Sequence, residues 1–468
     1  MLKRAEHPTV EQRVARGRAT RAQLPRSAHG EWKPTQRTLQ PLDLLEEQAE
    51  TRVPELVPIR YGRMAVSPFS YYRGAALPMA ADLSTSPHTG LSVQLCGDAH
   101  LSNFGGFASP ERTMIFDVND FDETASGPFE WDLKRLAASV EVAARSRNMD
   151  VATRRAIVVG AVRSYQEGIR SFAGMSNLSV WYERLDLDGI TRRWGTDAGQ
   201  ELVKQTQKSV AKAESKDQIK ARAKLTTLVG GEMRFLSDPP LLVPAKELLG
   251  EIEGQDVENT IHETIRSYRR TLQGDRRRLL ESYRYVDLAR KVVGVGSVGT
   301  RAWVALFVGR DDDDTLILQV KEAEASVLER FLGKSPYANH GQRVVEGQRL
   351  MQAASDIFLG WQRVGVGVDG RPHDYYLRQL WDWKFSANVD AMAPNGMGVY
   401  ARVCGWTLAL GHARSGDSMA IASYLGGGDV FAQAIADFAV FYADQNEADH
   451  SALIDAIATG RIKAEVGV

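Results

Sequence analysis

The chain has 468 residues, 43% hydrophobic and 25% charged, with 58 Lys and Arg against 59 Asp and Glu for a formal net charge of −1. That length exceeds what one core usually organises, so two lobes or domains are expected, and near-neutrality removes any whole-molecule attraction to nucleic acid or anionic membrane. Cys96 and Cys404 stand in apolar company (VQLCGD, RVCGWTLAL), which favours buried reduced thiols; with no apolar leader and no run near the roughly 18 apolar residues of a membrane span, a cytoplasmic protein is expected.

Residues 1–59 read as a basic N-terminal arm, the first forty rich in Arg, Thr, Gln and Pro with little periodic apolar content, partly disordered or wrapped in extended form around the rest. Residues 60–290 open with RYGRMAVSPFSYYRGAALPMAADL, an ordered entry, followed by the short strand-like runs SVQLC and TMIFDV. GDAHLSNFGGFASPER lies on the loop between those strands, where chemistry usually resides. Helical periodicity follows from Trp131 to about Arg222 and from about Glu258 to Tyr285, with a break at 237–244.

In residues 291–385 the pattern changes to strand, Gly-rich turn, strand, Asp-rich turn and strand (KVVGVGSVGTRAWVALFVG, RDDDDTLILQVKEA). A helix (HGQRVVEGQRLMQAASDIF) and two further strands (GWQRVGVGVDGRPHDYYLRQLW) complete what reads as a small antiparallel sheet carrying one helix. Residues 386–468 are helical.

Gly294, Gly296 and Gly299 of GVGSVG match G-x-G-x-x-G, whose glycines let backbone amides, with Ser297 among them, approach phosphate without an intervening Cβ. The β-branched and aromatic TRAWVALFV that follows makes this turn close a hairpin instead of opening the helix of a dinucleotide fold, which suits a kinase-type phosphate-covering loop. Such a loop predicts a lysine on the third strand, and ILQVKEA supplies Lys321. Its ion-pair partner is expected to be Glu346, on the helix before the next strand, in preference to Glu329.

GDAHLSNFG sets Asp98 and Asn103 at D-x-x-x-x-N spacing: a carboxylate for an attacking hydroxyl and an amide oxygen for Mg²⁺. His100 serves either as a substrate contact or to hold the loop. The segment resembles the HGDxHxxN loop of aminoglycoside phosphotransferase and choline-kinase-like enzymes, with Cys96 standing where that family has its first His. The resemblance places a second metal-ligating Asp about twelve residues before an Asp at a helix start; Asp120 precedes Asp132 by that interval, with Asp117 in reserve. Oxygen ligands without a His or Cys cluster suit Mg²⁺ or Mn²⁺ better than zinc.

The parts come in rotated order, the catalytic half before the nucleotide-covering half, and a circular permutation reconciles them. LALGHARSGD resembles the helix leading into a catalytic loop, and YYLRQLWD, with Gln379 and Leu380, resembles the strand leading to an interlobe hinge. SPFSYYRGAA, QLCGDAHLSNFG, FDVNDFDET, GPFEWDLKRLAAS, RVVEGQRLMQAASD and LRQLWDWK further resemble the bacterial domain-of-unknown-function family 2252 across nearly the whole chain beyond the arm. The implied fold is α+β, two-lobed, kinase-like and circularly permuted: a mostly helical catalytic lobe plus a small antiparallel-sheet nucleotide-binding lobe.

The implied function is an ATP- and Mg²⁺-dependent phosphotransferase acting on a hydroxyl of a small molecule or protein. A metal-dependent phosphoesterase and a catalytically silent nucleotide-binding module compete with it. Arg73 and Arg378 suit phosphate or a buried carboxylate, and Asp382 and Lys384 suit a structural pair after the hinge. His412 and Asp417 read as a helix end, not a second catalytic loop.

Overall fold

A computed structural model describes residues 7–214, 218–249, 254–292, 294–367, 369–380 and 383–467. The architecture is mixed α+β with antiparallel sheets. Its strands are β1 (Ser92–Leu95), β2 (Phe104–Ala108), β3 (Met114–Val118), β4 (Ala125–Pro128), β5 (Thr226–Val229), β6 (Glu232–Phe235), β7 (Leu242–Pro244), β8 (Arg284–Lys291), β9 (Ala302–Val308), β10 (Thr315–Ala323), β11 (Gly360–Val364), β12 (His373–Gln379) and β13 (Phe385–Ser386).

The main sheet has six strands in the order β11-β12-β10-β9-β8-β7, every neighbouring pair antiparallel. Its central strands β9 and β10 carry apolar residues on both faces because both faces are covered. Period-2 alternation sends Val304, Leu306 and Ile317 into one cluster with Ala221, Leu225, Met233 and Phe235. Ala305, Phe307, Leu316 and Leu318 go to the opposite cluster with Tyr268, Leu272 and Leu280. The Gly-rich segment does close the β8–β9 hairpin.

The structure departs from the sequence reading in three places. β8 begins at Arg284, so the helix read as reaching Tyr285 ends at Leu280, and the sheet starts before residue 291. Residues 226–235 form the β5–β6 hairpin, where Gly230 and Gly231, both at positive φ, make the turn that a two-residue hairpin needs. β7 comes from the segment read only as a break.

The helical part is built on the Glu130–Ser146, Val151–Ala173, Pro394–Ser415 and Val430–Ala458 helices, which share one large core with β1 to β3. Asp150 caps the second of these through Thr153 N–H (2.9 Å). Gly405 brings the third against the Ala161 carbonyl, and Gly168 sits against Ala409, so these two helices approach closely. Cys96 and Cys404 are free and buried here. No described helix is long and apolar enough to cross a membrane.

The N-terminal arm, from residue 7, is folded. Thr9 and Gln12 form a reciprocal capping box on the Val10–Gln23 helix, and Gly17 lets it lie directly on the Ala420 carbonyl. His29 is fully buried, 2.6 Å from the Tyr424 hydroxyl. The sequence signal was weak because that helix is mostly exposed and its attachment is tertiary.

Candidate functional site

Lys321 sits on β10, paired with Ala302 of β9 and Tyr376 of β12, and alternation puts Gln319 on its face. Its ammonium is 2.5 Å from Asp122 Oδ2 and 3.7 Å from Asp120 Oδ2. The Tyr376 hydroxyl donates to Asp122 Oδ1 at 2.6 Å. Burial works to lower the pKa of Lys321, but the Asp120 and Asp122 carboxylates outweigh it and hold the pKa above the ordinary value. Lys321 is therefore a permanent cation.

Both aspartates lie on the β3–β4 connection, where Asp120 Oδ1 accepts the Asp122 N–H at 3.1 Å. Arg343, on the His340–Met351 helix, fixes that connection by donating to the carbonyls of Thr124 (2.7 Å), Asp122 (2.8 Å) and Glu324 (2.8 Å). Neither expected glutamate pairs with Lys321. Glu346 is half-buried beside Arg349 (3.4 Å), and Glu329 lies 3.5 Å from Arg343. Their place is taken by Asp122, two residues beyond the favoured Asp120.

The Asp98 loop is held from behind. Asp132 accepts the backbone N–H groups of Cys96 (2.8 Å) and Gly97 (3.0 Å), and its Oδ2 lies 3.3 Å from His412 Nε2. His412 is fully buried near the end of the Pro394–Ser415 helix, with Tyr165 on its other nitrogen (2.9 Å). Asp417 caps the next helix through Ala420 N–H (3.1 Å). Gly97 adopts φ +86° as the chain turns from β1 into the loop.

Asp98 Oδ1 accepts from Arg135 (2.8 Å to Nε), and Asp98 Oδ2 is 3.6 Å from His100 Nε2. Burial pushes the His100 pKa down to about 3, against the pull of Asp98, so the ring is neutral near pH 7. Asn103 donates Nδ2 to the Asp98 carbonyl (2.8 Å), which leaves its amide oxygen as the atom that could meet a cation. Asp117 is elsewhere: its oxygens accept the Val118 and Ala353 amides (2.8 and 3.1 Å), and burial raises its pKa to about 6. It lines neither of the two cavities of the cleft, so the fold does not bring this reserve candidate together with Asp98 and Asp120.

Two adjoining cavities share Asp120, Gly294 and Ser297. The first, about 250 Å³, is cationic, with Lys291, Lys321, Arg378 and Lys384 on its wall. Lys384 is exposed to solvent on this wall, and desolvation by the surrounding protein with the charge of Arg378 lowers its pKa to about 8. Asn119 Nδ2 and Gln348 Oε1 are buried on this wall without hydrogen-bond partners. Gln379 and Leu380 also line it, but their amides are taken by Asp356 Oδ2 (2.5 Å) and the Ile317 carbonyl (2.9 Å), so a hinge-like reading of a base edge by these N–H groups is excluded. Asp382 lies outside the described residues.

The second cavity, about 200 Å³, carries Asp98, His100 and Asn103 with Asp120 and Asp122, facing Arg52 and Arg73. The Gly-rich turn forms its roof, with Gly294 and Gly299 at φ +70° and +91°. Residues 41–74 brace that turn: Val53 N–H donates to the Gly299 carbonyl (2.8 Å), and Val298 packs with Leu56 and Ile59. The arm boundary at residue 59 therefore falls inside one packed unit. Among the described residues, no group of three or more His, Cys, Asp or Glu side chains stands ready to hold a metal ion.

Sequence reasoning passed over Asp122, one of the three aspartates that TMIFDVNDFDE offers, and missed Tyr376, Arg52 and Arg135. Asp122 and Arg135 stood beside chosen positions in FDVNDFDET and WDLKR, whereas Arg52 carried no local signal. A family model described as an uncharacterized protein conserved in bacteria (DUF2252) matches residues 52–456. No curated protein and no solved structure matches the chain.

Proposed function

We propose that this chain, which belongs to the bacterial DUF2252 family, is an ATP- and Mg²⁺-dependent phosphotransferase of circularly permuted, two-lobed, kinase-like build. The observation that carries the reading is the meeting of Lys321 with Asp120, on the cleft that also holds Asp98 and Asn103, across about two hundred residues of sequence. The residues present fit the substrates. A cationic cavity under a glycine turn suits a polyphosphate, and Asn103 with Asp120 offers hard oxygen donors to Mg²⁺ or Mn²⁺, which would neutralise phosphate charge.

In this reading Lys321 and Lys384 neutralise the polyphosphate, and the amides of Gly294 to Gly299 cover it. Asp98 orients the acceptor hydroxyl and takes its proton. The acceptor oxygen bonds to the γ-phosphorus as the bond to the bridging oxygen breaks, and ADP leaves with that electron pair. Arg135, on Asp98 Oδ1, fixes the carboxylate and leaves Oδ2 toward the cavity.

Asp98→Ala is expected to abolish ATP consumption while sparing the thermal shift given by ATP and Mg²⁺. Undiminished turnover in that variant would remove Asp98 from the mechanism. A silent nucleotide-binding module is the second reading, favoured by the Asp122 carboxylate already bound to Lys321. It predicts the thermal shift without consumption across a broad panel of hydroxyl acceptors.

A further inference from the structure

Several buried cations in this molecule are matched to a carboxylate. Arg37 is forked between Asp82 and Asp449, Arg135 lies on Asp98, and Lys321 lies on Asp122. Arg52, Arg60 and Arg73 are different. Arg52 is 6% exposed and Arg60 0%, yet among the described residues none of the three forms an ion pair. Nε of each, and Nη1 of Arg60, is buried without a hydrogen-bond partner.

Arg52 donates to the Val298 carbonyl, and Arg60 gives Nη2 to Gln48 Oε1 (2.6 Å) and the Gly74 carbonyl (3.2 Å). These are neutral acceptors. A guanidinium removed from water without a directly paired carboxylate is costly, and Arg52 and Arg60 are both in that position.

Their position gives them a use. Arg52 and Arg73 line the second cavity and not the first, whereas Lys291, Lys321, Arg378 and Lys384 line the first. Several acids of the second cavity are satisfied internally: Asp98 by Arg135, Asp122 by Lys321, and Glu322 by His373 (2.6 Å) and Arg301. Glu123 accepts the Val327 amide (2.7 Å). The wall also carries Asp120, which shares Lys321 with Asp122, and Glu324, whose charge acts on Arg52, but neither forms an ion pair with Arg52 or Arg73, whose guanidiniums share the cavity with Asp98 and Asn103.

We propose that Arg52 and Arg73 bind the oxyanion of a second ligand, and that the acceptor is an anionic alcohol. Its phosphate or carboxylate sits on the two guanidiniums while its hydroxyl faces Asp98. A planar guanidinium offers either oxyanion a pair of parallel N–H donors. Arg60, behind the wall, ties Gln48 to the Gly74 carbonyl and holds residues 48–74 in place. The acceptor assignment rests on the phosphotransferase reading; the anion site does not. A nucleotide γ-phosphate has the same chemistry, and the two sources separate by competition.

Calorimetric titration of the full chain would use inorganic phosphate, Mg²⁺ with a non-hydrolysable ATP analogue, and phosphate added to protein saturated with that analogue. Phosphate is expected to bind in both states, about tenfold weaker in Arg52→Met and in Arg73→Gln. Analogue affinity should change less than about twofold in Arg73→Gln, and Arg73→Lys should retain part of the phosphate binding. Arg73 is only partly buried, so its variants stand if Arg52→Met fails to fold. Phosphate competing with the analogue, with both arginine variants weakening the analogue, would assign the arginines to the nucleotide and overturn the proposal. Phosphate affinity unchanged in both variants would overturn it as well. Arginine-dependent phosphate binding with no analogue binding at all would keep the anion site and overturn the acceptor assignment together with the phosphotransferase.

Discussion

Lys384 shows how one group on a cavity wall couples ligand and stability. Its pKa falls to about 8, through desolvation first and then the charges of Arg378 and Lys321, and it faces the cationic cavity. The charged form that attracts an anion is therefore present below about pH 8 and is lost as pH rises through that value. Folding has the opposite dependence: between about 8 and the ordinary lysine value near 10.5 the unfolded chain binds more protons, so stability rises with pH. Nucleotide affinity is thus expected to fall from about pH 7 to about pH 9.5, while the melting temperature of the free protein gains from this residue over the upper part of that range. Lys384→Met should flatten both trends; superimposable affinity profiles for variant and parent would show that Lys384 does not meet the ligand. At this scale Lys321, Asp98 and Asn103 were legible, because spacing on strand and loop is a sequence property. The Asp122 partner was not, because it is set by how the β3–β4 connection meets β10.

The His340–Met351 helix positions the acidic connection through one side chain. Arg343 is 2% exposed and serves three carbonyls, and Gly347 removes any side chain that would push Thr124 away. Arg343→Met keeps most of the volume but strands those carbonyls in a dry site, at an expected cost on the order of 3 kcal/mol. Because Asp120 and Asp122 hang on the same connection, affinity for Mg²⁺ with nucleotide should weaken along with the urea midpoint. A variant with a lowered midpoint but unchanged nucleotide affinity would mean that the helix supports the fold and not the site. The strands around this helix were readable because β-branched and aromatic runs alternate with turn residues such as the Asp-rich tip after Gly309. The β5–β6 hairpin was masked by flanking helical periodicity, although its Gly230-Gly231 pair was the available signal.

The whole molecule is closed by residues far apart in sequence, and Arg37 is the clearest case. Its guanidinium donates Nε and Nη2 to Asp82 (2.9 and 2.5 Å) and Nη1 and Nη2 to Asp449 (2.7 and 3.0 Å), joining the arm to two helices that lie 45 and 412 residues away. Asp82 is 2% exposed, and burial raises its pKa even with Arg37 present. The family match begins at residue 52, after this arginine, yet removal of residues 1–40 would leave two buried carboxylates without their cation and uncover the pocket of His29 and Trp32. Breaking such a buried pair costs about 3–5 kcal/mol, so the shortened chain should unfold at a distinctly lower urea concentration. Arg37→Met isolates the electrostatic part. Without the cation the folded-state pKa of Asp82 rises further, so stability is retained below the unfolded-state value near 3.9 and lost as pH rises through the folded one. The deficit of Arg37→Met against the parent should therefore be smaller at about pH 5 than at about pH 8. A deficit independent of pH would assign the effect to packing alone, and a 41–468 fragment with the parent's urea midpoint would show that the arm does not hold the two carboxylates in the folded molecule.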